Sequence, residues 1–238
     1  MSTAQYSDLK DASVYITGGG LGIGAALTEG FVAQGARVAF IGRSDASAFC
    51  AELETKYGNR PLFIQGDITD TAALKASMAQ AADAHGPITT LINNAANDKR
   101  HSAEEVTPEF WDWMIEVNLK AYFFACQTVL PQMRQAGFGS IINFSSISYM
   151  MGNSGYPIYT ACNSAINGLS RSLAREFGHE KIRVNALAPG WVLTQKQKDL
   201  WVTEEGLAAH VARQCLNETL EPEDILGGCL FLASQSSK

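Results

Sequence analysis

The segment TGGGLGIG, Thr17–Gly24, constrains this chain more than any other. It lies between the short apolar run VYIT (Val14–Thr17) and a stretch of helical character, Ala25–Gln34, that stops near Gly35. A strand that enters a glycine-rich turn and leaves as a helix is the setting in which such a turn holds a dinucleotide. Gly18 permits the tight turn, Gly22 removes a side chain where the backbone approaches a pyrophosphate, and Gly24 lets the helix pack on the sheet. The helix start then offers free N–H groups and a partial positive charge to phosphate. An ordinary glycine-rich loop is the plainer alternative, and the strand–turn–helix context argues against it. Thr17, Gly18, Gly20, Gly22, Ile23 and Gly24 are thus candidate cofactor-binding residues.

The rest of the chain repeats the strand–helix alternation. Strands are expected at Arg37–Gly42, Pro61–Gln65, Ile88–Asn93, Ser140–Ser145 and Arg183–Ala188. Helices are expected at Asp45–Tyr57, Thr71–His85, Pro108–Gln135, Tyr156–Phe177 and Pro222–Ala233, with Thr107 as an N-cap before Pro108. Strands apolar on both faces that alternate with helices predict a doubly wound, Rossmann-type α/β fold, a parallel sheet with helices on both sides. With 238 residues and no linker, one domain over residues 1–238 is expected.

Charge and composition exclude other classes. The net charge is −6 with no basic block, which argues against nucleic acid and anionic membrane as partners. The N-terminal MSTAQYSDLKDA has no apolar signal core, so a cytoplasmic chain is expected. The five cysteines have no metal-like spacing, so no metal site is expected and buried free thiols are.

Three further positions bear on the cofactor. The second strand ends at Gly42-Arg43, with no acid to hold an adenosine ribose and an arginine able to accommodate a 2′-phosphate, so NADP is favoured over NAD. Asp67-Ile68, past the third strand, is placed to flank adenine. Asn93, ending the fourth strand, and Ala95 in the NNAA segment (Asn93–Ala96) are placed beside the cofactor's ribose, since open α/β sheets bind ligands at the carboxyl ends of their strands.

With TGGGLGIG, Asp67, NNAA, Asn118, Ser146, Tyr159 and PGWVLT (Pro189–Thr194) in this order and spacing, the chain resembles the short-chain dehydrogenase/reductase family from about Leu9 to Ala233. The resemblance implies hydride transfer between an alcohol and NAD(P). It implies that Ser146 hydrogen-bonds the substrate oxygen, Tyr159 takes its proton, Asn118 anchors a water in a proton relay, and Pro189, Gly190, Val192 and Thr194 border the nicotinamide. The family expects a lysine four residues after the tyrosine, and Asn163 stands there. Positions i and i+4 of a helix share a face, so Asn163 and Tyr159 are expected in one site. A free tyrosine titrates near pH 10, and a neighbouring ammonium favours the phenolate. An asparagine amide can hydrogen-bond ribose hydroxyls but carries no charge. A raised tyrosine pKa and impaired activity are therefore expected.

Family members usually continue into a seventh strand, and here the sequence stops at Lys238 after the last helix. The resemblance implies a homo-oligomer, a tetramer. NNAAND, INFSSIS and LWVTEEG followed by QCL are similar to bacterial aldose 1-dehydrogenases, which implies a sugar substrate oxidised to a lactone. Candidate substrate contacts are Asn97, Ser146, Ser148, Asn153, Tyr159 and Trp191, with Trp201 as a further wall and His101 as a loop histidine rather than a base. Two alternatives stay open: a reductase of another carbonyl class, such as 3-oxoacyl thioesters, and a cofactor-binding homologue without catalysis.

Overall fold

Ser13–Thr17 (β1) is buried at all five positions because its side chains alternate between two cores. Tyr15 enters one core, whereas Val14 and Ile16 enter the other. The same division holds for Ala39 and Ile41 against Val38 and Phe40, for Leu91 against Ile92, and for Ile141 against Ile142. A strand with period-two side chains can be apolar throughout only if both faces of its sheet are covered. In the computed structural model, which describes residues 4–238, that is the arrangement; the first three residues of the expected domain lie outside the described residues.

Six parallel strands form the sheet among the described residues, in the order β3-β2-β1-β4-β5-β6. After β1 come α1 (Gly22–Ala33), β2 (Arg37–Gly42), α2 (Ser47–Tyr57), β3 (Leu62–Gln65), α3 (Thr71–His85) and β4 (Thr90–Asn93). Then follow α4 (Pro108–Ile115), α5 (Ala121–Ala136), β5 (Gly139–Phe144), α6 (Ser148–Met151), α7 (Pro157–Phe177) and β6 (Ile182–Leu187). The chain closes with α8 (Gln195–Leu200), α9 (Glu204–Val211) and α10 (Pro222–Ala233). Leu74 and Met78 of α3, Ala125 and Val129 of α5 and Leu173 of α7 fill the core on one face. Leu27 and Phe31 of α1, Leu53 of α2 and Leu230 of α10 fill the other. The strand order reverses between β1 and β4, and a doubly wound sheet opens its ligand crevice at that switch point.

Several expected boundaries move. The first helix begins at Gly22 rather than Ala25, so the glycine turn runs directly into it. The helix expected over Pro108–Gln135 is divided by a π-helical turn, Glu116–Lys120. There Asn118 Nδ2 donates to Met114 O at 2.9 Å, a local side-chain bond that competes with the helical ladder. Thr107 caps α4 as expected, its Oγ1 accepting from Phe110 N at 3.2 Å. Two helices follow Thr194 where the sequence pattern predicts none, capped by Thr194 and Thr203. Of the five cysteines, Cys215 is exposed and the other four are buried thiols.

Candidate active site

The crevice at the switch point is a cleft of about 1320 Å³. One end is built by the glycine turn. Gly18 has φ of +72°, and Gly18 N donates to Ile41 O at 2.8 Å, which seats the turn beside β2. A Cβ on Gly24 would lie 1.9 Å from Gly18 O, so only glycine allows α1 to start this close to the turn. The N-cap of α1, Leu21, makes no side-chain capping bond, which leaves the first N–H groups of the helix facing the cleft without a side-chain acceptor. Gly18, Gly20, Gly22, Ile23 and Gly24 all line this end. A turn that excludes a Cβ and presents free helix N–H groups fits a dinucleotide's pyrophosphate.

Arg43, Asp67 and Ile68, from the ends of β2 and β3, line the cleft with it. Arg43 has no carboxylate partner among the described residues; its backbone carbonyl accepts from Gln65 Nε2 at 2.9 Å. Asp45 also lines this end, but its carboxylate already accepts from Ser47 N and Oγ.

Two expected cofactor contacts are corrected. Asn93 is fully buried, and its Nδ2 donates to Asn143 Oδ1 at 2.9 Å, inside the sheet. It still belongs to β4, where alternation turns it toward the core, and its neighbour Asn94 faces the cleft instead. Asn94 Nδ2 donates to Thr17 O and Gly18 O at 3.1 and 3.2 Å, clasping the glycine turn. Thr17 is likewise buried and does not line the cleft. Its Oγ1 accepts from Asn94 N and Ala95 N at 3.0 and 3.1 Å, so it anchors the NNAA loop to β1. Ala95 itself lines the cleft.

Ser146, Tyr159 and Asn163 line the cleft together, with the Ser146 and Asn163 side chains close enough to act on the Tyr159 phenol. Ser146 follows the carboxyl end of β5, and its Oγ accepts from Ser148 N at 3.2 Å, leaving the hydroxyl hydrogen free to donate. Ser145 plays a different part. Its Oγ donates to Asn163 O at 2.8 Å and accepts from Asn167 Nδ2 at 2.9 Å, fixing α7 against β5. Tyr159 packs against the small core of Met114, Ile158 and Cys162. Burial pushes its phenol up to about 12, the Asp98 carboxylate adds to the rise, and the nearby polar groups of Ser146 and Asn163 offset part of it. Asn163 is buried, and its Nδ2 donates to Tyr159 O at 2.9 Å, one turn back along α7.

Asn118 is the remaining expected catalytic residue. It is buried outside the cleft lining. Its Oδ1 accepts from Asn97 N at 2.8 Å while Nδ2 bonds Met114 O, so both ends of the amide are engaged within the protein. The side chain ties the loop after β4 to the π turn.

Asn97, Ser148, Asn153 and Trp191 line the cleft on the side of the loops after β4, β5 and β6, its outer lobe, and Pro189, Gly190, Val192 and Thr194 line the cleft as well. Trp201 joins Trp191 as a wall. His101 accepts from Ile158 N at Nε2 (3.3 Å) and bonds Lys99 O through Nδ1 (2.8 Å), so it supports the start of α7. Asp98, Arg100 and Tyr156, within the polar segments 97–101 and 148–156, line the cleft without an individual role in the sequence pattern. Asp98 accepts from Lys196 Nζ and Gln197 Nε2, both at 2.7 Å, which joins the loop after β4 to α8. Arg100 stacks on the Tyr156 ring, with Cζ 3.9 Å from the centroid. The cue for these is the run NDKRH following NNAA, a polar segment at the carboxyl end of a central strand.

Sequence comparison decides the family. A family model described as short chain dehydrogenase matches residues 12–205. The chain belongs to the short-chain dehydrogenase family. It is an oxidoreductase of that type, and a nicotinamide dinucleotide is the family's cofactor. This short-chain dehydrogenase is 45% identical over 239 residues to a probable galactose dehydrogenase, GalD, of Rhizobium meliloti, covering 100% of this chain and 93% of that one. It is 42% identical over 238 residues to a D-xylose 1-dehydrogenase of Caulobacter vibrioides, covering 100% of this chain and 94% of that one. A solved structure assigned to the short-chain alcohol dehydrogenases, from Sinorhizobium meliloti 1021, superposes with a TM-score of 0.92 at 29% identity, covering 98% of this chain and 92% of that one.

Proposed function

We propose that this short-chain dehydrogenase oxidises the anomeric hydroxyl of a cyclic aldose to a lactone with NADP. The observation that carries the reading is the meeting of Ser146, Tyr159 and Asn163 in the cleft that the glycine turn closes at its other end. The similarity to galactose and D-xylose dehydrogenases supports the substrate class.

When bound, the oxidised nicotinamide accepts a hydride from the carbon being oxidised. The remaining chemistry falls to this chain. The free hydrogen of Ser146 Oγ donates to the reacting oxygen of the sugar. Tyr159 Oη, as phenolate, takes the proton from that hydroxyl as the C–H bond breaks, which leaves a carbonyl carbon in the ring. Asn163 holds the cofactor's ribose through its amide without supplying a charge. Asn118 is a positioning residue: it holds Asn97 N and so shapes the lobe in which the sugar sits. The unpaired guanidinium of Arg43 matches an adenosine 2′-phosphate, and no acid at the end of β2 stands ready for a 2′-hydroxyl. The resemblance also implies a homotetramer; Trp111 and Phe123, exposed on α4 and α5, offer apolar surface for assembly.

A panel of aldoses, polyols and 3-oxoacyl thioesters, followed by NADPH absorbance with both cofactors, tests this reading. Aldoses should respond, with the lower KM for NADP. A response to thioesters alone would replace the substrate class, and NADPH binding without turnover, unrepaired by Asn163→Lys, would make the chain a non-catalytic binder.

A further inference from the structure

The outer lobe contains a cation without a counter-ion. Arg100 is half-buried, lines the cleft and takes part in none of the ion pairs among the described residues. It is held between two aromatic rings, with Cζ 3.9 Å from the centroid of Tyr156 and 5.4 Å from that of Trp201. Stacking of this kind fixes the plane of a guanidinium and leaves its edge donors free. The neighbouring charges are accounted for differently. Lys196 pairs with Asp98 at 2.7 Å, and Asp199 accepts from Gln195 Nε2 at 2.7 Å. Arg213, on the same lobe, is exposed to solvent. Ser148 and Trp201 also line the lobe, and each has a buried polar atom, Oγ and Nε1, with no partner.

Buried or half-buried charges are ordinarily paired, and a planar fork of N–H donors matches a carboxylate with two parallel bonds. The position matters as much as the chemistry. Tyr156, on which Arg100 lies, packs edge-on against Tyr159 with ring centroids 5.6 Å apart. Arg100 and Tyr159 therefore lie against the same ring, Tyr156, in one cleft.

We propose that the outer lobe selects a sugar acid: an aldose whose terminal carbon is a carboxylate, held by Arg100 while the anomeric hydroxyl faces Ser146 and Tyr159. This rests on the aldose reading above and narrows it. The carboxylate is not consumed. The anomeric carbon loses its hydride to the oxidised nicotinamide and its hydroxyl proton to Tyr159, and the lactone formed still carries the terminal carboxylate.

The test compares D-galactose with D-galacturonate, which differ only in the oxidation state of carbon 6, using the chain and its Asn163→Lys variant so that slow chemistry does not obscure the comparison. Galacturonate should have a kcat/KM at least about tenfold above galactose, the size expected of one charge-assisted bidentate pair, and the advantage should shrink as salt rises. Arg100→Gln should reduce the galacturonate-to-galactose ratio about tenfold or more, through KM, while NADPH fluorescence confirms an intact cleft. Arg100→Lys, which retains charge without the fork, should fall between and covers the case in which the glutamine variant does not fold. Oxidation of galactose with no advantage for galacturonate, or a ratio untouched by both Arg100 variants, would overturn the sugar-acid proposal and leave the aldose reading standing. Failure of both sugars in the Asn163→Lys chain, while other alcohols are oxidised, would remove the aldose reading and this proposal with it.

Discussion

At the scale of single residues, the proposed chemistry turns on a phenol that burial makes hard to ionise. With a pKa of about 12, Tyr159 is protonated at neutral pH, and a protonated phenol cannot accept the substrate's proton. The sign follows directly: oxidation should accelerate as pH rises, without a plateau in the neutral range. Asn163→Lys, placing an ammonium one turn along α7, should lower the pKa, move the rise toward neutral pH and increase turnover there by about 10²–10⁴. Stopped-flow hydride transfer across pH reads both effects, and superimposable profiles would contradict this role for position 163. Asp98 acts in the opposite direction, since its charge helps to raise Tyr159. Asp98→Asn should therefore lower the tyrosine's pKa, whereas Lys196→Met, which leaves that carboxylate without its cation, should raise it further. Tyrosinate absorbance, referenced to a Tyr159→Phe chain, distinguishes the two, and shifts of the same sign would refute the electrostatic account.

At the scale of elements, the cleft depends on how closely helices start and pack. Gly24 is required by space: a methyl group would meet Gly18 O at 1.9 Å and Asn94 Nδ2 at 2.8 Å. Gly24→Ala should push α1 off the turn, destabilise the fold by about 1–3 kcal/mol and weaken NADPH binding about tenfold or more. Gly168, exposed in α7, is the contrasting case, because nothing lies within 4 Å of its would-be Cβ. Gly168→Ala should stabilise the protein by about 0.5–1 kcal/mol through helix propensity, with cofactor affinity unchanged. Thermal denaturation and fluorescence titration of the pair check this, and equal effects would show that Gly24 is not a spacing residue. Most elements are readable from sequence for the same physical reasons. The apolar runs of β1, β2 and β4 are strands buried on both faces, and α3 opens with Asp70 and closes at Gly86. The α8–α9 segment is not readable, because its helices are short, polar and without a buried stripe. Thr203 followed by Glu204 and Glu205 is the one cue, an N-cap with an acidic first turn.

At the scale of the whole molecule, the sheet assembles two functions at one switch point from separate pieces of chain. In the proposed function, the glycine turn and the ends of β2 and β3 serve as the dinucleotide end of the cleft, and the loop after β5 with α7 as the chemical centre. Motif spacing points to both halves. It does not reveal which of two adjacent asparagines faces the cleft, because a one-residue difference in strand register decides it: Asn93 enters the sheet's interior and Asn94 clasps the turn. Nor does it reveal Arg100, whose significance lies in rings supplied by distant segments, Tyr156 and Trp201. Because the two halves are built independently, binding and chemistry should be separable. The most direct measurement adds Tyr159→Phe to the Asn163→Lys chain and follows aldose oxidation beside NADPH affinity. The account predicts that oxidation falls by about 10²–10⁴ or more while NADPH affinity stays within about threefold. Oxidation that survives the loss of the phenol would contradict it.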